Sequence, residues 1–342
     1  MTSLWNNLAS TDRPIVLYGM GDGADKVIAM RESIGKSPAA VFASDEFVRG
    51  QNFRGYTVIN YDRAKKLYPD MIVLVSFGTQ LAPVLDNIKR IASECTLYAP
   101  DVAVYGGGIF DADFYQKSAD RIQFVRSRFA DEKSKHVFDS IINYKISGDI
   151  SHLTACETSV DEAYKNILRL GDNETYVDLG AYRGDTVCEF LSHVNSYKKI
   201  YALEPDKKNF SKLFDAHAQR AVCINAAATD AVKKVCFDNK KGRNSHLSDS
   251  GNLIDGVSVD SVVGCDGASY IKFDVEGNEA AAIDGAFHTI KTFKPKMCIA
   301  AYHRFDDILT IPERVLAINP DYKLYMRHFP YIPAWDTNYY FV

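Results

Sequence analysis

Short apolar runs recur along this chain, and stretches with apolar residues at helical spacing separate them. Ile15-Val16-Leu17-Tyr18 is the first run. Gly19, Gly21 and Gly23 follow at once, and the pattern then predicts a helix from Ala24 to about Ile34. Ala39 to Ala43 reads as a second strand and Tyr56 to Ile59 as a short third run. A helix from Tyr61 to Tyr68, a buried strand from Met71 to Val75, a helix from Leu81 to Ala92 and a strand from Thr96 to Tyr98 complete the series. Strands alternating with helices imply a parallel sheet with right-handed crossovers. Arg13 to about Val104 therefore reads as a small Rossmann-like unit.

Tyr105-Gly106-Gly107-Gly108 interrupts the alternation and marks a boundary. From Asp111 to Lys145 the chain is polar, with Phe124, Phe129, Val137, Phe138, Ile141 and Ile142 at helical spacing. Two helices with a break near Ala130-Asp131 are expected, then an end at Ser147-Gly148-Asp149 and a further helix around Val160 to Leu168. A second alternation begins at Thr175 and continues through Lys199 to Leu203 and Ala221 to Ile224. It resumes with Tyr270 to Gly277 and Lys296 to Ala301, and strands at Lys323 to Met326 and Asn338 to Val342 close the chain. Helices are expected at Phe210 to Ala218, from Asn278 to near Gly285-Ala286, and from Phe305 to Ile318, with an extra strand at Val232 to Phe237. The division is 1–108, a Rossmann-like unit; 109–170, a helical connector; and 171–342, a second α/β unit.

The second alternation carries the chemistry. Thr175 to Asp185 reads TYVDLGAYRGD: a strand, a turn containing Asp178, Gly180 and Gly184, then a helical pattern from Thr186. Glycine lets backbone approach a ligand without a Cβ in the way. Glu204 closes the next apolar run, at about the 20-residue distance of a carboxylate that grips a ribose diol. The turn is D-x-G-x-x-x-G and has no phosphate-binding lysine. It suits S-adenosylmethionine, which has a ribose and no phosphate, better than a dinucleotide. Ligands of open α/β sheets bind beyond the carboxyl ends of the strands. That rule gathers Asp178 and Gly180, Glu204, the small edge at Asn225 and Ala226, Asp274 and Glu276, and His303.

The remaining composition narrows the classes. A net charge of -4 gives no reason to expect nucleic acid or an anionic membrane. The 7 cysteines contain no C-x-x-C pair, and Cys223, Cys236 and Cys298 lie in apolar runs, so buried thiols in a reducing compartment are expected. Met1 to Asn7 has neither a charged nor an apolar signal region, and no apolar run approaches the roughly 20 residues of a membrane helix. A cytoplasmic location is the expectation.

These residues resemble the FkbM-type S-adenosylmethionine-dependent methyltransferases over roughly Asn173 to Val342. Ile271-Lys272-Phe273-Asp274-Val275-Glu276-Gly277-Asn278-Glu279, followed by Gly285-Ala286, matches the signature I-K-x-D-V-E-G-x-E. Val177-Asp178-Leu179-Gly180-Ala181 with Gly184-Asp185-Thr186, and Leu203-Glu204-Pro205-Asp206, match the cofactor motifs. Asp131-Glu132-Lys133-Ser134 resembles the arm that precedes the domain in longer members. The resemblance implies a class I methyltransferase: a seven-stranded, doubly wound α/β sheet transferring a methyl group to a hydroxyl of a sugar or natural product. It implies Asp178, Gly180 and Gly184 as the methionine-side loop, Glu204 as the ribose ligand, and Asp274 and Glu276 at the reaction edge. Ala181, Asp185, Thr186 and Pro205 in those motifs, and the small strand edge at Asn225 and Ala226, complete the expected cofactor contacts.

Abstraction of a hydroxyl proton calls for a base. His303 is the first candidate, because an unperturbed imidazole titrates near neutrality, and Asp274 is the second. Two acids on alternate strand positions point to opposite faces unless the strand has ended, which disfavours a metal at Asp274 and Glu276. Glu279 and Asp185 are also placed to stabilise helix starts. In the first unit, Gly19, Gly21 and Gly23 with Asp45 allow either a nucleotide site or simple packing. The basic run Asn239 to Ser245 reads as a solvated loop or a substrate cover. The expected partner is a small acceptor, glycosylated or a nucleotide sugar; nucleic acid and membrane are not expected, and a homo-oligomer is compatible. The competing readings are a non-catalytic binding protein and an NAD-dependent oxidoreductase using the first unit.

Overall fold

The computed structural model describes residues 3–33, 35–238, 246–247 and 251–342. The run Asn239 to Ser245 lies outside them. In the first unit four parallel strands stand in the order Ala40–Phe42, Ile15–Tyr18, Ile72–Val75, Thr96–Tyr98. The two central strands are buried at every position, which is why they read as unbroken apolar runs. Tyr56–Thr57 does not join this sheet as the alternation predicts. It forms a two-residue ladder with Asn52–Phe53, and only Ile59 bridges back, to Phe42.

Where two helices are expected from Asp111 to Lys145, the connector has three, Ala112–Lys117, Ala119–Ser127 and Glu132–Ser147. The extra break falls at Ser118. The expected break at Ala130-Asp131 is real: Asp131 caps the third helix by accepting from Ser134 N at 2.7 Å. That helix stops at Gly148, whose φ of 67° is left-handed. The expected helix from Val160 to Leu168 is one α turn, Val160–Glu162, continued as a π-helix, Ala163–Leu168.

The connector is tied to the far edge of the second sheet by Arg327, which is 2% exposed. Its guanidinium donates to Asp131 at 2.7 Å and to Glu162 at 2.8 Å. One buried cation thus fixes two connector segments against the strand Leu324–His328.

Seven strands build the second sheet in the order Leu324–His328, Thr337–Phe341, Lys296–Ala300, Tyr270–Phe273, Thr175–Leu179, Lys199–Leu203, Val222–Ile224. Thr337–Phe341 runs antiparallel to both neighbours and the remaining pairings are parallel. Register places Phe273, Leu179, Leu203 and Ile224 in one row across the central strands. Asp274, Gly180, Glu204 and Asn225 are therefore the next residues out, side by side at the carboxyl edge.

A smaller sheet lies beside this edge, in the order Ala227–Ala228, Asn252–Val257, Lys233–Asp238, His246–Leu247. Lys233–Asp238 is the expected extra strand. Asn252–Val257 escapes sequence reading because most of its residues are exposed or half-exposed, leaving no apolar alternation. The helices Val259–Val263 and Phe287–Phe293 are likewise additions.

The cysteines correct the expectation of buried thiols. Cys156 and Cys298 are buried, Cys223 and Cys236 are half-buried on peripheral strands, and Cys188 and Cys265 are exposed. No helix among the described residues is long and apolar enough to cross a membrane.

Candidate functional site

Beyond the carboxyl edge of the second sheet lies a cavity of about 280 Å³. Gly180, Asp185, Thr186, Glu204, Pro205, Ala226, Asp274 and Glu276 all line it. The sequence motifs meet there because the strand register delivers them to one edge. Gly180 has a φ of 85°, and a Cβ on it would lie 1.9 Å from the Asp274 carbonyl oxygen. Only glycine lets these two strand ends meet.

Glu204 forms one wall. One carboxylate oxygen accepts from Tyr182 N at 2.9 Å and the other from Asp206 N at 2.8 Å. Burial raises its pKa to about 8 in spite of those donors. Oriented in this way, the carboxylate offers its remaining lone pairs to a hydroxyl donor. No lysine or arginine lines this cavity among the described residues.

Four expected cofactor residues do not reach the lining. Asp178 is fully buried behind Thr186, whose hydroxyl donates to Asp178 Oδ2, while Oδ1 has no partner. Burial holds its pKa up, at about 6. Ala181 is sealed in the turn and donates its N–H to Leu203 O. Gly184 makes room for the His217 ring, which a Cβ would meet at 2.2 Å. Asn225 spends its amide on the Glu204 and Pro205 carbonyls at 2.8 and 3.1 Å. These residues shape the wall from behind. Tyr182, Asn209, Phe237, Asn278 and Tyr302 line the cavity without having been singled out, since each is an ordinary residue in sequence and acquires its place from the loops.

The reaction edge differs from the expectation in one electrostatic respect. The strand Tyr270–Phe273 ends before Asp274, and Glu276 has a φ of 52°, so the two acids are not held on opposite faces. Both approach His303 Nε2, Asp274 at 3.6 Å and Glu276 at 3.5 Å. His303 Nδ1 donates to Glu279 at 2.8 Å. Burial alone would lower the imidazole pKa. Glu279, Glu276 and Asp274 outweigh it and raise the value to about 10. The near-neutral titration that made His303 the first choice of base is absent, and at neutral pH the ring is a cation.

Asp274 receives Lys272 Nζ at 2.9 Å and the Tyr302 hydroxyl at 3.1 Å. Burial raises its pKa, but Lys272 and His303 prevail and bring it below the usual range. Glu276 goes the other way: burial lifts it to about 7 against the pull of His303. Glu279 opens the helix Glu279–Asp284, as expected, and its carboxylate also accepts from Val275 N at 3.0 Å and from His303.

A second cavity, of about 440 Å³, opens on the other side of Asp274, Glu276 and Tyr302. Aromatic side chains from the last strand, the loop before it and the connector wall it, among them Tyr164, Tyr331, Trp335 and Tyr340. The first unit supplies Gly78 and Gln80, and Gln80 lines both cavities. Thr79 and Ile332 exchange backbone hydrogen bonds at 2.9 and 3.0 Å, and a Cβ on Gly78 would meet the Trp335 ring at 2.4 Å. The loop after the strand Ile72–Val75 is thus clamped over the second cavity.

In the first unit itself, packing accounts for two of the three glycines. A Cβ on Gly19 would strike the Phe77 ring at 2.4 Å, and one on Gly23 the Ser76 carbonyl at 2.3 Å. Lys26, from the helix that follows, donates to Ala103 O and Val104 O, at 3.0 and 2.7 Å. Asp45 is exposed.

Residues 178–323 match the family model of the methyltransferase FkbM domain. Over those residues, fewer than half of the chain, the sequence is similar to an FkbM methyltransferase domain. A crystal structure of methyltransferase FkbM from Methylobacillus flagellatus KT resembles it at a TM-score of 0.74 and 23% identity, covering 96% of this chain and 90% of that one. The fold likeness therefore takes in the first unit and the connector as well as the FkbM domain. Precorrin-6y C5,15-methyltransferase from Geobacter metallireducens GS-15 overlaps 51% of the chain and 81% of its own, at 14% identity and a TM-score of 0.33. An rRNA methylase from Streptococcus thermophilus overlaps 50% and 87%, at 14% identity and a TM-score of 0.33. No curated protein matches the sequence. The matched residues and the fold agree, and the second sheet is the seven-stranded doubly wound sheet expected of class I methyltransferases.

Proposed function

We propose that the protein is an S-adenosylmethionine-dependent O-methyltransferase acting on a small hydroxylated acceptor. The observation that carries this reading is the register-built row Gly180, Glu204, Asp274 at one cavity, with a diol-accepting carboxylate and, among the described lining residues, no lysine or arginine for phosphate. The residues fit the donor by the chemistry they offer. Glu204 would take the ribose hydroxyls, and the small Ala226 to Ala228 edge would leave room for a planar base. Asp185, Asp274 and Glu276 would face its positive charges. When bound, S-adenosylmethionine supplies an electrophilic methyl group.

The protein's own work is positioning and proton handling. The second cavity holds the acceptor, and Asp274, Glu276 and Tyr302 stand where the cavities join. Glu276, with its pKa near 7, is the carboxylate suited to receive a hydroxyl proton at neutral pH. Asp274 stays ionised beside Lys272. His303 is a positioning residue, a buried cation that holds Glu276, Asp274 and Glu279 in place.

The reading is tested by calorimetric titration of S-adenosylhomocysteine into the wild type and Glu204→Ala, with NAD as comparator. Micromolar binding of S-adenosylhomocysteine that the substitution removes, with no NAD binding, is the expected result. NAD binding, or no S-adenosylhomocysteine binding to the wild type, overturns it.

A further inference from the structure

The second cavity has a charge balance that bears on the acceptor. Its described lining includes the carboxylates Asp185, Glu189, Asp274, Glu276 and Asp336, and only two cations, Lys272 and His303. Neither cation is free. Lys272 is bonded to Asp274 at 2.9 Å and also feels Asp178. His303 is bonded to Glu279 and faces Glu276 and Asp274. No arginine is among its described lining residues. A phosphate or carboxylate entering it would meet like charge with no donor cation to offset it.

Much of the rest of the wall is aromatic, with Tyr331, Trp335 and Tyr340 grouped around Asp336 in sequence and Tyr164 contributed by the connector. Asp336 stands at a φ of 109°, and its Oδ1 accepts from the Asn338 amide at 2.9 Å. A carboxylate in a cavity lined by aromatic rings, with no spare cation among the described lining residues, is complementary to an ammonium group. Resting on the methyltransferase reading above, we propose that the acceptor carries a protonated amine beside its hydroxyl, as an amino sugar or amino alcohol does, with the amine at Asp336. The same lining disfavours nucleotide sugars, whose diphosphate finds no partner there.

The test uses the full chain loaded with S-adenosylhomocysteine, whose own affinity is measured first and reports on the donor reading separately. Glucosamine, N-acetylglucosamine, glucose and glucose 6-phosphate are then compared by saturation-transfer NMR and titration. Acetylation removes the positive charge of the amine. Glucosamine is expected to bind at least tenfold more tightly than the other three. Asp336→Asn is expected to erase that preference while S-adenosylhomocysteine affinity stays within twofold, which also reports that the variant is folded. Should Asp336→Asn not fold, Trp335→Leu is expected to weaken glucosamine at least threefold by removing a ring face. Equal binding of glucosamine and N-acetylglucosamine, preference for glucose 6-phosphate, or no binding of any of the four overturns the proposal when S-adenosylhomocysteine binds normally.

Discussion

His303 Nδ1 stands 2.8 Å from Oε1 of Glu279, and both side chains are 1% exposed. A buried imidazolium paired with a buried carboxylate is a fixed charge rather than a proton shuttle. Glu279→Gln removes the largest influence raising the imidazole, so its pKa is expected to fall from about 10 toward the ordinary range. Histidine ring shifts followed by NMR against pH check this, and a value unmoved from about 10 would count against the pairing. The substitution is also expected to cost about 3 kcal/mol of stability near neutral pH. The sign follows from the raised value: His303 stabilises fully below its unfolded pKa of about 6.5, and the contribution fades as pH rises through 10.

Glu204 predicts a pH dependence of its own. Its folded pKa, about 8, lies above the unfolded carboxylate value, so its protonated form favours the folded state. That contribution is complete below about pH 4.3 and is lost as pH rises through 8. Glu276, at about 7, and Asp178, at about 6, act in the same direction. The ligand-free protein is expected to lose stability steadily from pH 5 to 8, and Glu204→Gln to lose less. Urea unfolding at several pH values measures both slopes, and parallel slopes would refute the assignment.

The glycines separate into two kinds. Gly180→Ala drives a Cβ into the Asp274 carbonyl oxygen and should cost at least about 4 kcal/mol or prevent folding. Gly21 also has a positive φ, 106°, but a Cβ there meets nothing within 4 Å. Gly21→Ala should cost only about 1 to 3 kcal/mol of backbone strain and leave S-adenosylhomocysteine binding unchanged. Thermal unfolding and calorimetry on the two variants distinguish them. Loss of donor binding in Gly21→Ala would implicate the first unit in the donor site.

Arg327 joins the connector to the second sheet through Asp131 and Glu162. Arg327→Met keeps much of the side-chain volume and removes the charge, leaving two half-buried carboxylates facing each other. A loss of about 3 kcal/mol is expected, measured by denaturant unfolding at pH 7. Part of that loss should be recovered at low pH, where the acids are protonated. A variant as stable as the wild type would show that the connector is held by apolar packing alone.

The sequence by itself determined the strands of both large sheets, because buried parallel strands must be apolar on both faces and so stand out as runs. It also marked Gly180, Glu204, Asp274 and Glu276, since strand–turn–helix openings and strand-end acids have local signatures. The small-sheet strand Asn252–Val257 left no such mark, being largely exposed. Tertiary structure alone decided what each marked residue does. Asn225 and Gly184 are both expected at the cofactor, yet one holds backbone and the other makes room for His217. The charge of His303 depends on three carboxylates brought to it from another strand end, and the aromatic cavity on residues from Gly78 to Tyr340. Electrostatic environment is a sum over neighbours in space, and neighbours distant in sequence leave no local pattern.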